Sequence, residues 1–174
     1  MLNKNSWLIW ITGLSGSGKT TIGNALYLKL KLTYKNIVFL DGDSFREILG
    51  NDLGHNPKDR LENAYRIHRM CRFLVSQNIH VVCATMSLYK EIHELNRKKI
   101  ENYMEIFIEC DRDELIRRDQ KGLYTQAIKG ERTDVVGVNL PYDKPDKANL
   151  IINNTKIADM TLNVEKIYSL IKGE

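Results

Sequence analysis

The sequence predicts a three-layer α/β/α domain built on a central, mostly parallel, five-stranded sheet. Three observations predict it. Five short apolar runs recur along the chain, their hydrophobicity is continuous rather than alternating, and amphipathic helical patterns lie between them. Continuous runs suit strands covered on both faces, as in a parallel sheet whose crossover helices pack on either side. With 174 residues the chain has the length of one α/β domain, not of two large ones.

The first run, residues 7–12, reads Trp-Leu-Ile-Trp-Ile-Thr and is rich in aromatic and β-branched side chains. A helix over residues 20–32 places Ile22, Leu26 and Leu30 on one face. The second strand covers 36–40, and a second helix over 61–75 aligns Ala64, Ile67, Cys71 and Leu74. A third strand over 79–85 leads into a charged helix over 89–102, with sparse apolar positions at Ile92, Leu95 and Ile100. Strands over 104–110 and 150–152 follow, and an amphipathic helix over 162–171 closes the pattern. Residues 121–147 are long, polar and interrupted; such a segment in a compact domain is commonly a functional lid, here expected at about 119–147.

Composition excludes several function classes. The balance of 26 Lys+Arg against 22 Asp+Glu gives a charge of +4 without any block of like charge. That suits an anionic small ligand and argues against nucleic acid as partner. No apolar run approaches the roughly 18 residues of a membrane span, so no membrane partner is expected. The three cysteines, Cys71, Cys83 and Cys110, have neither metal-ligand spacing nor an even count. A reducing compartment fits them, with Cys83 and Cys110 read as small buried hydrophobes. The start of the chain shows no signal-peptide pattern, so the expected localisation is cytoplasmic.

The chemistry starts where the first strand ends. Gly13-Leu14-Ser15-Gly16-Ser17-Gly18-Lys19-Thr20, followed by Thr21, matches G-x-x-x-x-G-K-[ST] between a strand and a helix. This is the phosphate-binding loop of P-loop NTPases. Glycines there let backbone N–H groups turn inward onto phosphate oxygens, and the following helix adds its positive N-terminal end. Gly13, Ser15, Gly16, Ser17, Gly18, Lys19, Thr20 and Thr21 are therefore the candidate nucleotide-binding residues. Lys19 supplies charge to the β/γ-phosphates and Thr20 a hydroxyl for Mg²⁺. The motif by itself calls for a nucleoside triphosphate with Mg²⁺. Without an Asn-Lys-x-Asp guanine signature, a small-molecule kinase is favoured over a GTPase.

The second strand ends in Leu40-Asp41-Gly42-Asp43. Carboxylates at the C-terminal end of a neighbouring strand can hold Mg²⁺, partly through water, and accept the proton of an attacking hydroxyl. Asp41 and Asp43 are the candidates for these two roles, with their division between the pair left open; a bare Asp-Gly turn with Asp as helix cap is the bland alternative.

With these residues the chain resembles the adenylylsulfate kinases. The resemblance runs from about residue 7 to 153. It rests on residues 13–21, on Asp41, Asp43 and Arg46, and on Asp52-Leu53-Gly54, Asp59-Arg60 and Glu62-Asn63. Arg118-Asp119, Lys121-Gly122-Leu123-Tyr124 and Pro141-Tyr142 extend it, in that order. It implies ATP–Mg²⁺ as donor and a nucleotide 3′-hydroxyl as acceptor. It also implies a homodimer, Arg46, Arg60 and Asn63 on the acceptor's anhydride and ribose, and Lys121 over the transferring phosphoryl group. Arg118 is read as structural or lid-associated.

The departures cluster at the acceptor base. His55 stands where the family has a base-stacking Phe, and 134–138 has no aromatic where the family's lid has one. Ser44 replaces Asn, Tyr65-Arg66 replaces a pair of arginines, and residues 85–90 read Thr-Met-Ser-Leu-Tyr-Lys for Phe-Ile-Ser-Pro-Tyr-Arg, keeping Ser87. This pattern resembles the branch of the family that phosphorylates cytidine diphosphoramidate in capsule pathways. The alternatives are adenylylsulfate as acceptor, with Phe45 or Tyr142 restoring the stack, and a non-catalytic nucleotide-binding regulator. On the cytidine reading His55, Ser44 and Tyr65 are candidate partners for the base edge.

Overall fold

The computed structural model describes residues 6–119, 121–156 and 160–173; residues 1–5, which open the stretch read for a signal peptide, lie outside them, as does residue 120 of the expected lid. Five strands form the sheet: β1 (Leu8–Thr12), β2 (Ile37–Asp41), β3 (His80–Ala84), β4 (Tyr103–Glu109) and β5 (Leu150–Asn153). Their order is β2-β3-β1-β4-β5 and every pairing is parallel. β1 and β3 are buried along their whole length, as their unbroken apolar runs require. The edge strands β2 and β5 are only partly covered.

Side chains alternate along β1. Trp7, Ile9 and Ile11 enter one core with Ile22, Leu26 and Leu30 of α1 (Lys19–Lys31) and Val164, Ile167 and Ile171 of α7 (Met160–Lys172). Leu8 and Trp10 enter the opposite core. They meet Phe45 of α2 (Gly42–Ile48), Ala64, Ile67 and Cys71 of α3 (Pro57–Ser76), and Ile92 of α4 (Lys90–Lys99). A third, smaller core of Leu115, Tyr124, Ala127 and Val135 lies where α5 (Arg112–Arg118) and α6 (Leu123–Ile128) meet.

Several boundaries differ from expectation, each for a local reason. α3 begins at Pro57, four residues before its first apolar position, because the Asn56 side chain accepts from the Asp59 amide at 2.9 Å and Pro57 suits the first turn. The short α2, α5 and α6 were not expected, since seven or six residues are too few to show a periodicity. Cys110 is half-buried rather than buried, whereas Cys71 and Cys83 are enclosed; all three are free thiols.

All five strands point their C-terminal ends at one rim, where the phosphate loop leaves β1. At that rim a Cβ on Gly13 would sit 2.4 Å from the backbone oxygen of Ile108. Because that neighbour is main chain, it cannot rotate away. Gly13→Ala is expected to lower stability by about 1–3 kcal/mol, read as a fall in the denaturant midpoint; an unchanged midpoint would refute the close approach.

Candidate active site

A cleft of about 490 Å³ opens along this rim, within the usual range for small-molecule sites. It gathers residues from across the chain. Ser15, Gly16, Gly18, Lys19, Thr20 and Thr21 form one wall, and Asp41, Asp43, Arg46, His55, Arg60 and Asn63 another. Ser87 lies at its floor, and Lys121 reaches in from the segment before α6. Of the nucleotide-site candidates, Gly13 and Ser17 do not line the cleft; they lie behind the loop, with the Ser17 side chain fully buried.

The phosphate loop is held from behind. Carbonyl groups along it each accept a hydrogen bond: Leu14 from Lys19 Nζ at 2.8 Å, Ser15 from the Tyr124 hydroxyl at 2.8 Å, Gly16 from Arg118 at 3.1 Å, Ser17 from Asn154 Nδ2 at 2.8 Å, and Gly18 from the Ile22 amide at 3.0 Å. With its acceptors engaged, the loop presents donors. Gly18 is left-handed, and the first turn of α1 follows with amides that have no partner within the helix. This donor-rich cradle fits the phosphates of a nucleotide. Arg118 is thus structural, as expected; its other bonds run to Glu114 and the Asn154 and Thr155 carbonyls.

Asp41 works in two directions. One carboxylate oxygen caps α2 by accepting from the amides of Asp43 and Ser44, at 3.1 and 3.2 Å. The other accepts from the Thr20 hydroxyl at 2.7 Å. The bland helix-cap role and the placement beside Thr20 are therefore both present. A hydroxyl and a carboxylate, paired at the mouth of the phosphate cradle, are hard oxygen donors of the kind Mg²⁺ takes together with phosphate and water. Among the described residues no cluster of three His, Cys, Asp or Glu side chains could hold a metal alone.

Asp43 sits two residues after the Asp41 cap, exposed, and pairs with Lys121. Desolvation by the cleft walls pushes its pKa up, but Lys121 outweighs that, with Lys19 and Arg46 adding to it, so the carboxyl is held below its ordinary range. Arg46 donates to the Leu53 and Gly54 carbonyls at 2.8 and 3.1 Å and so shapes the loop carrying His55. Arg60 donates to the His55 carbonyl at 2.6 Å and to the Asp134 carbonyl at 3.0 Å, joining that loop to residues 132–136. Burial, then the charges of Arg60, Arg46 and Arg132, keep His55 below the usual histidine pKa and so neutral at pH 7.

A family model described as adenylylsulphate kinase matches residues 5–153. The chain belongs to this family. Among relatives, the Campylobacter jejuni cytidine diphosphoramidate kinase is 49% identical over 95% of this chain and 96% of its own length. The probable adenylyl-sulfate kinase of Aeropyrum pernix is 35% identical over 95% and 92%. Among solved structures, the Mycobacterium tuberculosis APS kinase CysC in complex with AMPPNP and APS superposes with a TM-score of 0.86 at 30% identity, covering 98% of this chain and 99% of that one. The family makes this a P-loop kinase that takes ATP as donor and Mg²⁺ as metal.

The positions where the sequence departs from the adenylylsulfate kinase pattern fall in different places in the structure. Phe45 does not restore a stack, because it is buried in the core between α2 and α3. Tyr142 does line the cleft, with Tyr89, Val135 and Val136. Ser44 and Tyr65 do not: Ser44 points out from the first turn of α2, and the Tyr65 hydroxyl donates to Glu91 at 2.7 Å. Helical spacing explains both, since a residue one position from Asp43, or two from Asn63, turns away from the face they share.

Three features escaped the sequence reading. Arg132 lines the cleft, although a charge in a polar segment reads as solvated surface. Asn154 looked like an ordinary residue after β5. The floor is fixed by a buried polar chain: His93 Nε2 donates to the Ser87 carbonyl at 2.8 Å, and fully buried Glu105 faces His93 while pairing with Arg97 and the Tyr103 hydroxyl. A Glu within an apolar strand was the available signal for it.

Lys19 carries a pH prediction. Burial lowers its pKa to about 8, against the opposing pull of Asp43 and Asp41. Phosphates restore the ordinary preference for charge. Below pH 8 the free protein already holds the proton; above it, binding must recruit one. Nucleotide affinity is expected to fall above about pH 8, approaching tenfold per pH unit, and titration calorimetry should show proton uptake there. A flat profile to pH 9.5 would remove the assignment.

Proposed function

We propose that the protein transfers the γ-phosphoryl group of ATP to the ribose 3′-hydroxyl of cytidine diphosphoramidate, in capsule phosphoramidate biosynthesis. The observation that carries the acceptor is that His55 and Val135 both line the cleft, in the two stretches where the resemblance leads one to expect aromatics. The likeness to a cytidine diphosphoramidate kinase supports the same reading. Adenylylsulfate is the second acceptor reading, favoured by Tyr142 in the cleft and by the other relatives.

On this reading Lys19 and the loop amides hold the donor phosphates, and Thr20 and Asp41 would hold Mg²⁺, which would supply neutralisation of phosphate charge. Asp43 takes the proton of the 3′-hydroxyl as its oxygen bonds to phosphorus and the bond to ADP breaks. Lys121, released from Asp43, covers the equatorial oxygens. Arg46, Arg60 and Asn63 grip the acceptor's anhydride and ribose, with Ser87 and His55 completing that side. Residues 119–147 act as lid on a single domain spanning 1–174, and the protein works in the cytoplasm as a homodimer. No described helix is long and apolar enough to cross a membrane.

ADP release measured with both acceptors, at matched ATP and Mg²⁺, tests the proposal. Higher kcat/KM with cytidine diphosphoramidate is expected. A preference for adenylylsulfate would overturn the acceptor and leave the 3′-kinase assignment.

A further inference from the structure

We infer that Arg132 is a specificity-determining residue that reads the acceptor's base through the free end of its guanidinium, selecting cytosine. The inference rests on the cytidine reading above and deepens it. Arg132 lines the cleft with its side chain 30% exposed. Its Nε and one terminal nitrogen donate to the two carboxylate oxygens of Asp134, at 2.5 and 3.0 Å. That bidentate contact uses one edge of the guanidinium and fixes its plane. A guanidinium has five N–H donors. The pair of N–H groups on the adjoining edge, one from each terminal nitrogen, makes no hydrogen bond among the described residues.

Its place in the cleft is set by Arg60, which ties the Asp134 carbonyl to the His55 carbonyl. Arg132 therefore belongs to the His55 side. Its charge is felt at His55, whereas Asp43 feels Lys121, Lys19 and Arg46.

Two parallel N–H groups match two adjacent acceptors, as when arginine reads O6 and N7 of guanine. Among the pyrimidines only cytosine offers such a pair, O2 beside N3. Uracil interposes its N3–H donor, and the corresponding edge of adenine pairs one acceptor with the N6 amine. Either would set N–H against N–H and leave buried donors unpaired, which discriminates more strongly than a lost apolar contact. Asp134 is a positioning residue, since it acts through Arg132.

The test uses the purified protein with cytidine diphosphoramidate, its uridine counterpart and adenylylsulfate. For wild type, kcat/KM should favour cytidine over uridine. Arg132→Leu should lower kcat/KM for the cytidine acceptor about ten- to hundredfold, bring the cytidine/uridine ratio close to one, and leave the KM for ATP unchanged. Arg132→Lys keeps the charge but loses the fork, so it should lose the discrimination too. Equal losses for both pyrimidines in Arg132→Leu, with recovery in Arg132→Lys, would mean that the residue grips phosphate, and would overturn the inference while the cytidine reading stands. Unchanged kinetics in both variants would do the same. A wild-type preference for adenylylsulfate would remove the cytidine reading and this inference with it.

Discussion

Replacing Lys19 with alanine is expected to abolish phosphoryl transfer while the fold persists. Two observations separate these effects. Among the described residues the ammonium hydrogen-bonds only the Leu14 carbonyl, at 2.8 Å, and that carbonyl also accepts from the Ser17 amide at 3.2 Å. Removing Lys19 therefore leaves no acceptor orphaned. Its lowered pKa, about 8, further means that the folded chain holds the charged form less favourably than water does. Between about pH 8 and the ordinary value of 10.5 the unfolded chain binds this proton more tightly, so the free protein gains stability from this group as pH rises through that window. At neutral pH the alanine variant should unfold at a temperature no lower than wild type. Transfer should fall on the order of 10³-fold or more, because a pre-positioned cation beside developing phosphoryl charge is lost from a low-dielectric site. Thermal unfolding and single-turnover ADP release measure the two quantities; turnover within tenfold of wild type would refute the role.

Replacing Asp43 with asparagine should lower kcat by about 10²–10⁴-fold with nucleotide binding preserved. The amide keeps the shape and cannot take the hydroxyl proton. Among the described residues the Asp43 side chain makes no hydrogen bond beyond its pairing with Lys121 on the exposed rim, so the loss should appear in kcat and not in stability. Asp41→Asn provides the contrast. Its carbonyl can still cap α2, and what changes is the charge beside Thr20. That variant should bind Mg²⁺ more weakly and need more of it for half-maximal rate. If Asp41→Asn removes turnover and Asp43→Asn is nearly silent, the two roles are reversed.

How much could be read without coordinates follows from what each residue depends on. β1 with its loop, and Ile22, Leu26 and Leu30 behind it, were legible because local pattern alone determines them. Asp41 and Asp43 were legible because sheet topology brings strand ends together. The short helices 112–118 and 123–128 were not, since their order comes from the small core around Leu115 and Tyr124 rather than from periodicity. Arg132 was missed because its use depends on Asp134 holding it and on Arg60 drawing that segment toward His55. The placement of Ser44 and Tyr65 failed because sequence adjacency to a cleft residue says nothing about which side of a helix faces the cleft.

The loop carbonyls are tied back by Arg118, Tyr124 and Asn154, all more than a hundred positions downstream of the glycine-rich turn they hold. During synthesis, which proceeds from the N-terminus, the loop emerges long before the groups that neutralise its carbonyls. A nascent chain ending before Arg118 lacks all three donors and leaves those oxygens unpaired beside the phosphate site. Acquisition of the nucleotide is thereby postponed until these downstream residues have been made, and a ribosome-bound fragment that carries the intact glycine-rich sequence but ends before Arg118 should retain no ATP.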